Sequence, residues 1–168
     1  TLVRSRRLAE RHAKEVTRDL RQSEARFRDL AELSSDWYWE QDEHFRFTEM
    51  SVGVSSKSGV DASSTIGKLR WELPIEGVGE AEWARHRALL ERHEPFHDFT
   101  YRMRSPDGSL RWFVVRGRPI FGPDGRFAGY RGTGKDITER KASEMALRES
   151  EERYRLLFEL SPDAIMVL

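Results

Sequence analysis

The hydrophobic and polar positions of the first thirty residues follow a heptad pattern. No Pro or Gly occurs before residue 53, so the pattern predicts one long helix. Heptad seams pair helices, and we expect a parallel homodimer with Val16, Leu20, Phe27 and Leu30 at its seam. A single helix packed on its own domain is the alternative. The positions at alternating spacings of four and three are Leu2, Arg6, Ala9, Ala13, Val16, Leu20, Ser23, Phe27 and Leu30.

The middle of the chain holds short runs rich in apolar residues between turn residues, and residues 99–103 alternate apolar and polar side chains as a half-buried strand does. Strands are predicted at 37–41, 45–50, 99–103, 110–121 and 127–133, with a helix at 80–92 before the last three. Two Pro-Asp-Gly turns, ending at Gly108 and Gly125, join those three strands into a meander. This order predicts an α+β fold: a five-stranded antiparallel sheet with helices on one face, flanked by N- and C-terminal coiled-coil-type helices.

The last predicted strand passes directly into a helix of residues 137–160. Asp136 or Thr138 is expected to cap this helix by accepting hydrogen bonds from its free N–H groups. A change in the geometry of the sheet would then alter the start of the helix. We therefore predict that Asp136, Ile137 and Thr138 transmit a signal. The glycines of 129–134 are interpreted as permitting close strand packing.

An internal repeat indicates how the chain is organised. Residues 20–36 align without gaps on residues 147–163, with eleven of seventeen positions identical. We therefore divide the chain into a signalling helix (1–25), a complete domain (26–138) and a linker helix (139–160). Residues 161–168 are expected to be the truncated start of a second unit of the same kind.

Several short motifs carry a resemblance to a known family. They are Gly129-Tyr-Arg-Gly132, Asp136-Ile-Thr-Glu-Arg-Lys141, Arg111-Trp112 after a Gly-Ser turn, Gly117-Arg-Pro119 and Gly125-Arg-Phe-Ala-Gly129. Over about residues 26–140 the chain resembles the PAS domains (PAS/PAC, S-box) of bacterial multidomain signalling proteins.

The resemblance implies a sensory module that is not itself an enzyme. Such a module senses a small ligand or a partner and relays the state through its C-terminal helix to an output domain of the same chain. The expected output is a histidine kinase of a two-component system or a diguanylate cyclase, and the expected location is cytoplasmic. The alternative is a ligand-free dimerisation or spacer module.

In this family the sheet and helices enclose a cavity that holds haem, flavin, an organic acid or nothing. We select six aromatic residues as pocket candidates: Trp39, Phe47, Trp71, Phe99, Tyr101 and Trp112. A packed aromatic core is the alternative interpretation. The chain has no Cys, so it is not a cysteinyl-flavin photosensor. Haem would need an axial ligand such as His86, but its neighbours predict an exposed side chain, and haem is not expected. The cofactor stays unknown.

The segment His93-Glu94-Pro95-Phe96-His97 matches the H-E-x-x-H pattern of zinc proteases. That chemistry requires both histidines on one face of a continuous helix, whereas Pro95 is expected to end the helix. We predict no metal site here, and a metallohydrolase using His93, Glu94 and His97 remains a remote alternative.

Composition and charge add limits on partners. Charged residues make up 35% of the 168 residues, which fits solvated helices around a small core. Residues 1–28 hold nine basic and four acidic side chains, interpreted as a solvated helix face, and we expect no nucleic-acid partner. By the positive-inside rule, Arg4, Arg6 and Arg7 also suit a membrane tether upstream of Thr1.

Overall fold

The computed structural model describes residues 2–33, 36–51 and 61–160. A long helix leads into an antiparallel sheet, and a second long helix leaves it. The helices are α1 (Leu2–Leu33), α2 (Glu80–Glu91) and α3 (Thr138–Leu160). The strands are β1 (Asp36–Gln41), β2 (Phe47–Met50), β3 (Ile75–Glu76), β4 (Phe96–Arg104), β5 (Leu110–Phe121) and β6 (Phe127–Asp136). Two single-turn 3-10 helices, Ala62–Ser64 and Arg70–Glu72, lie between β2 and β3.

The sheet has the order β2-β1-β6-β5-β4-β3, and each of these pairings is antiparallel. The predicted α+β class and antiparallel sheet are confirmed, with one strand more than predicted. The extra strand, β3, has only two residues and pairs with Met103 and Arg102 at the sheet edge. Such a short strand leaves no alternating pattern in the sequence. The prediction for 161–168 falls outside the described residues.

The inner face of the sheet is built on aromatic side chains that lie over glycines. Trp39 on β1 is opposite Gly132 on β6, and Trp37 is opposite Gly134. A Cβ atom at Gly132 would overlap the Arg116 carbonyl oxygen and the Trp39 ring. Glycine therefore lets the two indoles lie against the backbone of β6, which is the close packing that the sequence predicted.

The outer face of the sheet contacts α1 near the end of that helix. The Phe27 ring meets the Tyr38 ring edge-on, with 5.6 Å between centroids. The four predicted seam side chains are 50–61% exposed. Helix α1 thus packs on its own sheet through Phe27 and leaves most of its apolar seam uncovered. Among the described helices, none is long and apolar enough to cross a membrane.

Candidate functional site

A small cavity lies between the inner face of the sheet and the segment that carries the 3-10 helices. Its volume is about 20 Å³, which is room for roughly one water molecule. The residues that line it are Trp37, Trp39, Phe47, Met50, Thr65, Arg70, Leu73, Tyr101, Met103 and Phe113. Neither haem nor flavin fits a space of this size, so no chemistry is derived through either group.

The six pocket candidates from the sequence are divided among three places. Trp39, Phe47 and Tyr101 line the cavity. Phe99 is buried in the core but does not line the cavity. Trp71 is half-buried at the edge of the core, with the Arg87 guanidinium over its ring.

The sixth candidate, Trp112, lies outside the cavity. It stands on β5 next to Phe113, which lines the cavity, and adjacent strand residues point to opposite faces of a sheet. On the outer face its ring contacts the cationic groups of Arg102 and Lys141, each 5.2 Å from the ring centroid. Trp112 therefore faces helix α3.

The polar residue that the sequence reasoning missed is Arg70. Its side chain is 2% exposed, and its guanidinium carbon lies 4.6 Å from the Trp39 ring centroid and 4.9 Å from that of Phe47. Burial lowers the pKa of Arg70, and the interaction with the Tyr101 hydroxyl opposes this shift. Burial raises the pKa of Tyr101. An Arg in a Ser- and Gly-rich segment gives no sequence signal for burial.

His86 is buried, and the prediction of an exposed side chain was wrong. It is 5% exposed, and its ring stacks on Phe99 with 4.0 Å between centroids. The physical reason is helical spacing: His86 follows Trp83 by three residues and precedes Leu90 by four, so all three share one face. Burial, and secondly the charge of Arg70, lowers the pKa of His86 to about 3.

The H-E-x-x-H segment does not form the helical geometry of a zinc protease. Helix α2 ends at Glu91, His93 has a left-handed backbone with φ of 54°, and His97 lies on β4. The His93 ring stacks instead on Phe127, 3.7 Å between centroids. Within the described ranges, no three His, Asp or Glu side chains gather where they could hold a metal ion.

A polar junction joins the sheet to α3. The Thr138 hydroxyl accepts a hydrogen bond from the Trp112 N–H at 2.9 Å, and the Ile137 N–H donates to the Trp112 carbonyl at 2.8 Å. Both backbone groups of Trp112 are therefore bound by the start of α3. Ile137 itself is buried at 4% exposure.

Asp136 completes this junction. One carboxylate oxygen accepts from the Thr138 N–H at 2.8 Å and from the Thr138 hydroxyl at 2.5 Å. The other forms an ion pair with Arg111 at 3.1 Å. Asp136 thus caps the helix as expected, whereas the Thr138 hydroxyl binds the sheet rather than a helical N–H group.

The structure is an α+β fold with an antiparallel sheet, a small core cavity and an exit helix that is hydrogen-bonded to the sheet. A family model described as the PAS fold matches residues 32–142, and the chain belongs to this PAS family.

Two solved structures and one curated relative are similar to this chain. A sensory box histidine kinase/response regulator from Burkholderia thailandensis is 25% identical, with a TM-score of 0.56 over 79% of this chain and 99% of that chain. An RNA-binding light-oxygen-voltage receptor shares the fold at 19% identity, with a TM-score of 0.60 over 76% of this chain and 37% of the other. An uncharacterized protein of Sinorhizobium fredii is 30% identical over 127 residues, which are 74% of this chain and 15% of the relative.

Proposed function

We propose that this chain is the sensory module of a larger signalling protein and relays the state of its core cavity to helix α3. The output domain proposed is a histidine kinase or a diguanylate cyclase in the same protein. The kinase type is supported by the similarity to the sensory box histidine kinase/response regulator. The cytoplasmic location of the domain stays a prediction from the resemblance.

The observation that carries the proposal is that a residue lining the cavity is adjacent, on strand β5, to the residue that is hydrogen-bonded to α3. Phe113 lines the cavity, and the preceding residue, Trp112, is bonded through both its N–H and its carbonyl to the start of α3. Phe113 is also the register partner of Asp136. A displacement of β5 at the cavity therefore moves the hydrogen-bond partners of the first turn of α3.

The proposed assembly is a homodimer through α1 and α3. Exposed apolar side chains on α3 include Leu147, Leu157 and Phe158, which are 62–85% exposed. Together with the uncovered seam of α1, they offer a surface that a second copy could bury. Two helix registers of similar free energy in such a dimer would provide the output states.

A ligand-free spacer module is the second candidate, because the cavity is so small. Aromatic side chains fill most of the space between sheet and helices, and about 20 Å³ remains. In this alternative the domain holds the helices in place and responds to nothing in its core.

The experiment is an output assay of the full-length protein that contains this domain, with Thr138→Val as the variant. Thr138→Val removes both hydrogen bonds of the hydroxyl, and loss of the one that joins α3 to Trp112, at about 1 kcal/mol, shifts a two-state equilibrium by roughly fivefold. We expect kinase or cyclase activity to change by about that factor. Thr100→Val is the matched control, since the Thr100 hydroxyl bonds within its own strand β4, to the Asp98 carbonyl. Unchanged activity in a folded Thr138→Val protein would contradict the relay.

A further inference from the structure

Arg70 places a positive charge in the core without a carboxylate beside it. None of the ion pairs formed among the described residues includes Arg70. The segment 52–60, which follows β2 in the chain, contains no Asp or Glu. The faces of Trp39 and Phe47 attract the guanidinium, but cation–π attraction offsets only part of the cost of removing a cation from water. Among the described residues, no carboxylate compensates this positive charge in the core.

Two of the residues that line the cavity carry buried polar atoms without a partner, and both atoms are hydrogen-bond donors. Arg70 Nη2 and Trp39 Nε1 are buried without a hydrogen-bond partner, and both residues line the cavity. Buried donors without acceptors are rare in folded proteins, because each one loses its bond to water. The Tyr101 hydroxyl interacts with the Arg70 guanidinium but leaves Arg70 Nη2 and Trp39 Nε1 without an acceptor. An acceptor with negative charge would bind these two donors and also neutralise the guanidinium.

We propose that the cavity is a binding site for a small monovalent anion of halide size, held by Arg70 Nη2 and Trp39 Nε1. The volume of about 20 Å³ suits one atom of water or halide size. Sulfate, phosphate and carboxylates are too large for it. Water would satisfy the two donors but would leave the charge of Arg70 uncompensated.

This proposal rests on the proposed function, because it names the class of ligand whose binding would change the position of α3. The lining comes from β1, β4 and β5 as well as the 3-10 segment, through Trp39, Tyr101, Phe113 and Arg70. An anion drawing Arg70 and Trp39 together would move β1 relative to β5. Phe113 connects that movement to the Trp112 backbone and the α3 junction.

The direct test is crystallography of the unmodified chain grown or soaked in sodium bromide, with data collected at the bromine absorption edge. The inference predicts an anomalous peak in the cavity within roughly 3.5 Å of Arg70 Nη2 and Trp39 Nε1. Density for a water without anomalous signal, or bromide at surface sites only, would overturn it. This measurement needs no variant, so a folding defect cannot obscure the outcome.

A solution experiment measures whether the anion stabilises the fold. Thermal unfolding is compared in sodium chloride and in sodium gluconate at equal ionic strength. Chloride is expected to raise Tm saturably by about 2–4 °C, since a ligand bound only by the folded state stabilises it. The response should vanish in Arg70→Met and persist in Arg87→Met, whose guanidinium lies over Trp71 at the edge of the core. Equal Tm values of the unmodified chain in the two salts would contradict the proposal.

The proposed relay and the anion site can fail separately. A missing bromide peak removes the anion but leaves the Trp112 junction and its output assay intact. A bound bromide together with unchanged output in Thr138→Val keeps the site and removes the relay.

Discussion

The Thr138 hydroxyl and the Trp112 backbone N–H are joined by a 2.9 Å hydrogen bond between helix α3 and a central strand of the sheet. The same hydroxyl donates to Asp136, so its orientation is fixed by two partners. Lys141, one turn further along α3, places its ammonium group over the Trp112 ring. The first turn of α3 is therefore attached to the backbone and to the side chain of one strand residue.

Thr138→Val removes this hydroxyl and keeps the branched shape of the side chain. We expect the free energy of unfolding to fall by about 1–2 kcal/mol, because the half-buried Trp112 N–H loses its acceptor. Urea denaturation of both proteins measures the difference. Thr100→Val should stay within about 0.5 kcal/mol of the unmodified protein. Equal stability of the two variants would show that the bond contributes little to the folded state.

The buried His86 predicts a dependence of stability on pH. Its pKa is about 3 in the folded protein against an ordinary value of 6.5. Between these values the unfolded chain binds a proton that the folded chain does not, so stability decreases as pH falls from 7 towards 3. The expected loss from pH 7 to pH 5 is about 2 kcal/mol for this group.

The variant His86→Phe isolates this contribution. Phe keeps the stacking on Phe99 without a titrating group, so the variant should lose about 2 kcal/mol less between pH 7 and pH 5 than the unmodified protein. Urea denaturation at the two pH values provides the measurement. His44→Phe, at an exposed site, serves as the control and should retain the full dependence. The same loss in His86→Phe would contradict the assignment.

The apolar seam of α1 predicts the oligomeric state. Leu20→Asp places a charge at a seam position that is 59% exposed in the single chain. We expect sedimentation equilibrium to show a dimer for the unmodified protein and at least a tenfold weaker association for this variant, since buried unpaired charge is costly. Leu8→Asp alters an exposed leucine off the seam and should leave association unchanged. A monomeric unmodified protein would contradict the proposed assembly.

Most of the sheet could be predicted from the sequence because its determinants are local. The two Pro-Asp-Gly turns fix where the meander turns, and the apolar-polar alternation of residues 99–103 on β4 fixes which of them point inward. Strand β5 has the predicted bounds, and β6 is three residues longer than predicted, continuing to Asp136. The exit of the chain into α3 was visible in Asp136, Ile137 and Thr138.

The interior of the site could not be predicted in the same way. Arg70 is buried because two aromatic rings from other elements cover its guanidinium, and nothing near it in the sequence encodes those contacts. Trp112 was assigned to the pocket by residue type alone. Its position directly before Phe113 on a strand places it on the opposite face. For His86, the helical spacing to Trp83 and Leu90 predicts burial, whereas the charged neighbours Arg85 and Arg87 predict exposure, and the spacing is what the structure follows.

The central claim is that a change in the cavity reaches α3 through Thr138. Amide hydrogen exchange along α3 tests it in four proteins: the unmodified chain, Phe47→Leu, Thr138→Val and the double variant. Phe47 lines the cavity and lies on the edge strand β2, which is separated in the sheet from β5 by β1 and β6. The Lys141 amide, which bonds to the Ile137 carbonyl at 2.9 Å, reports the first turn.

The account predicts that Phe47→Leu changes exchange at Lys141 by about fivefold. It also predicts that Phe47→Leu changes this exchange by less than about twofold when both proteins carry Thr138→Val, because the hydrogen bond from Trp112 to α3 is then absent. Identical exchange at Lys141 with and without Phe47→Leu, or an equal change in both backgrounds, would contradict the account.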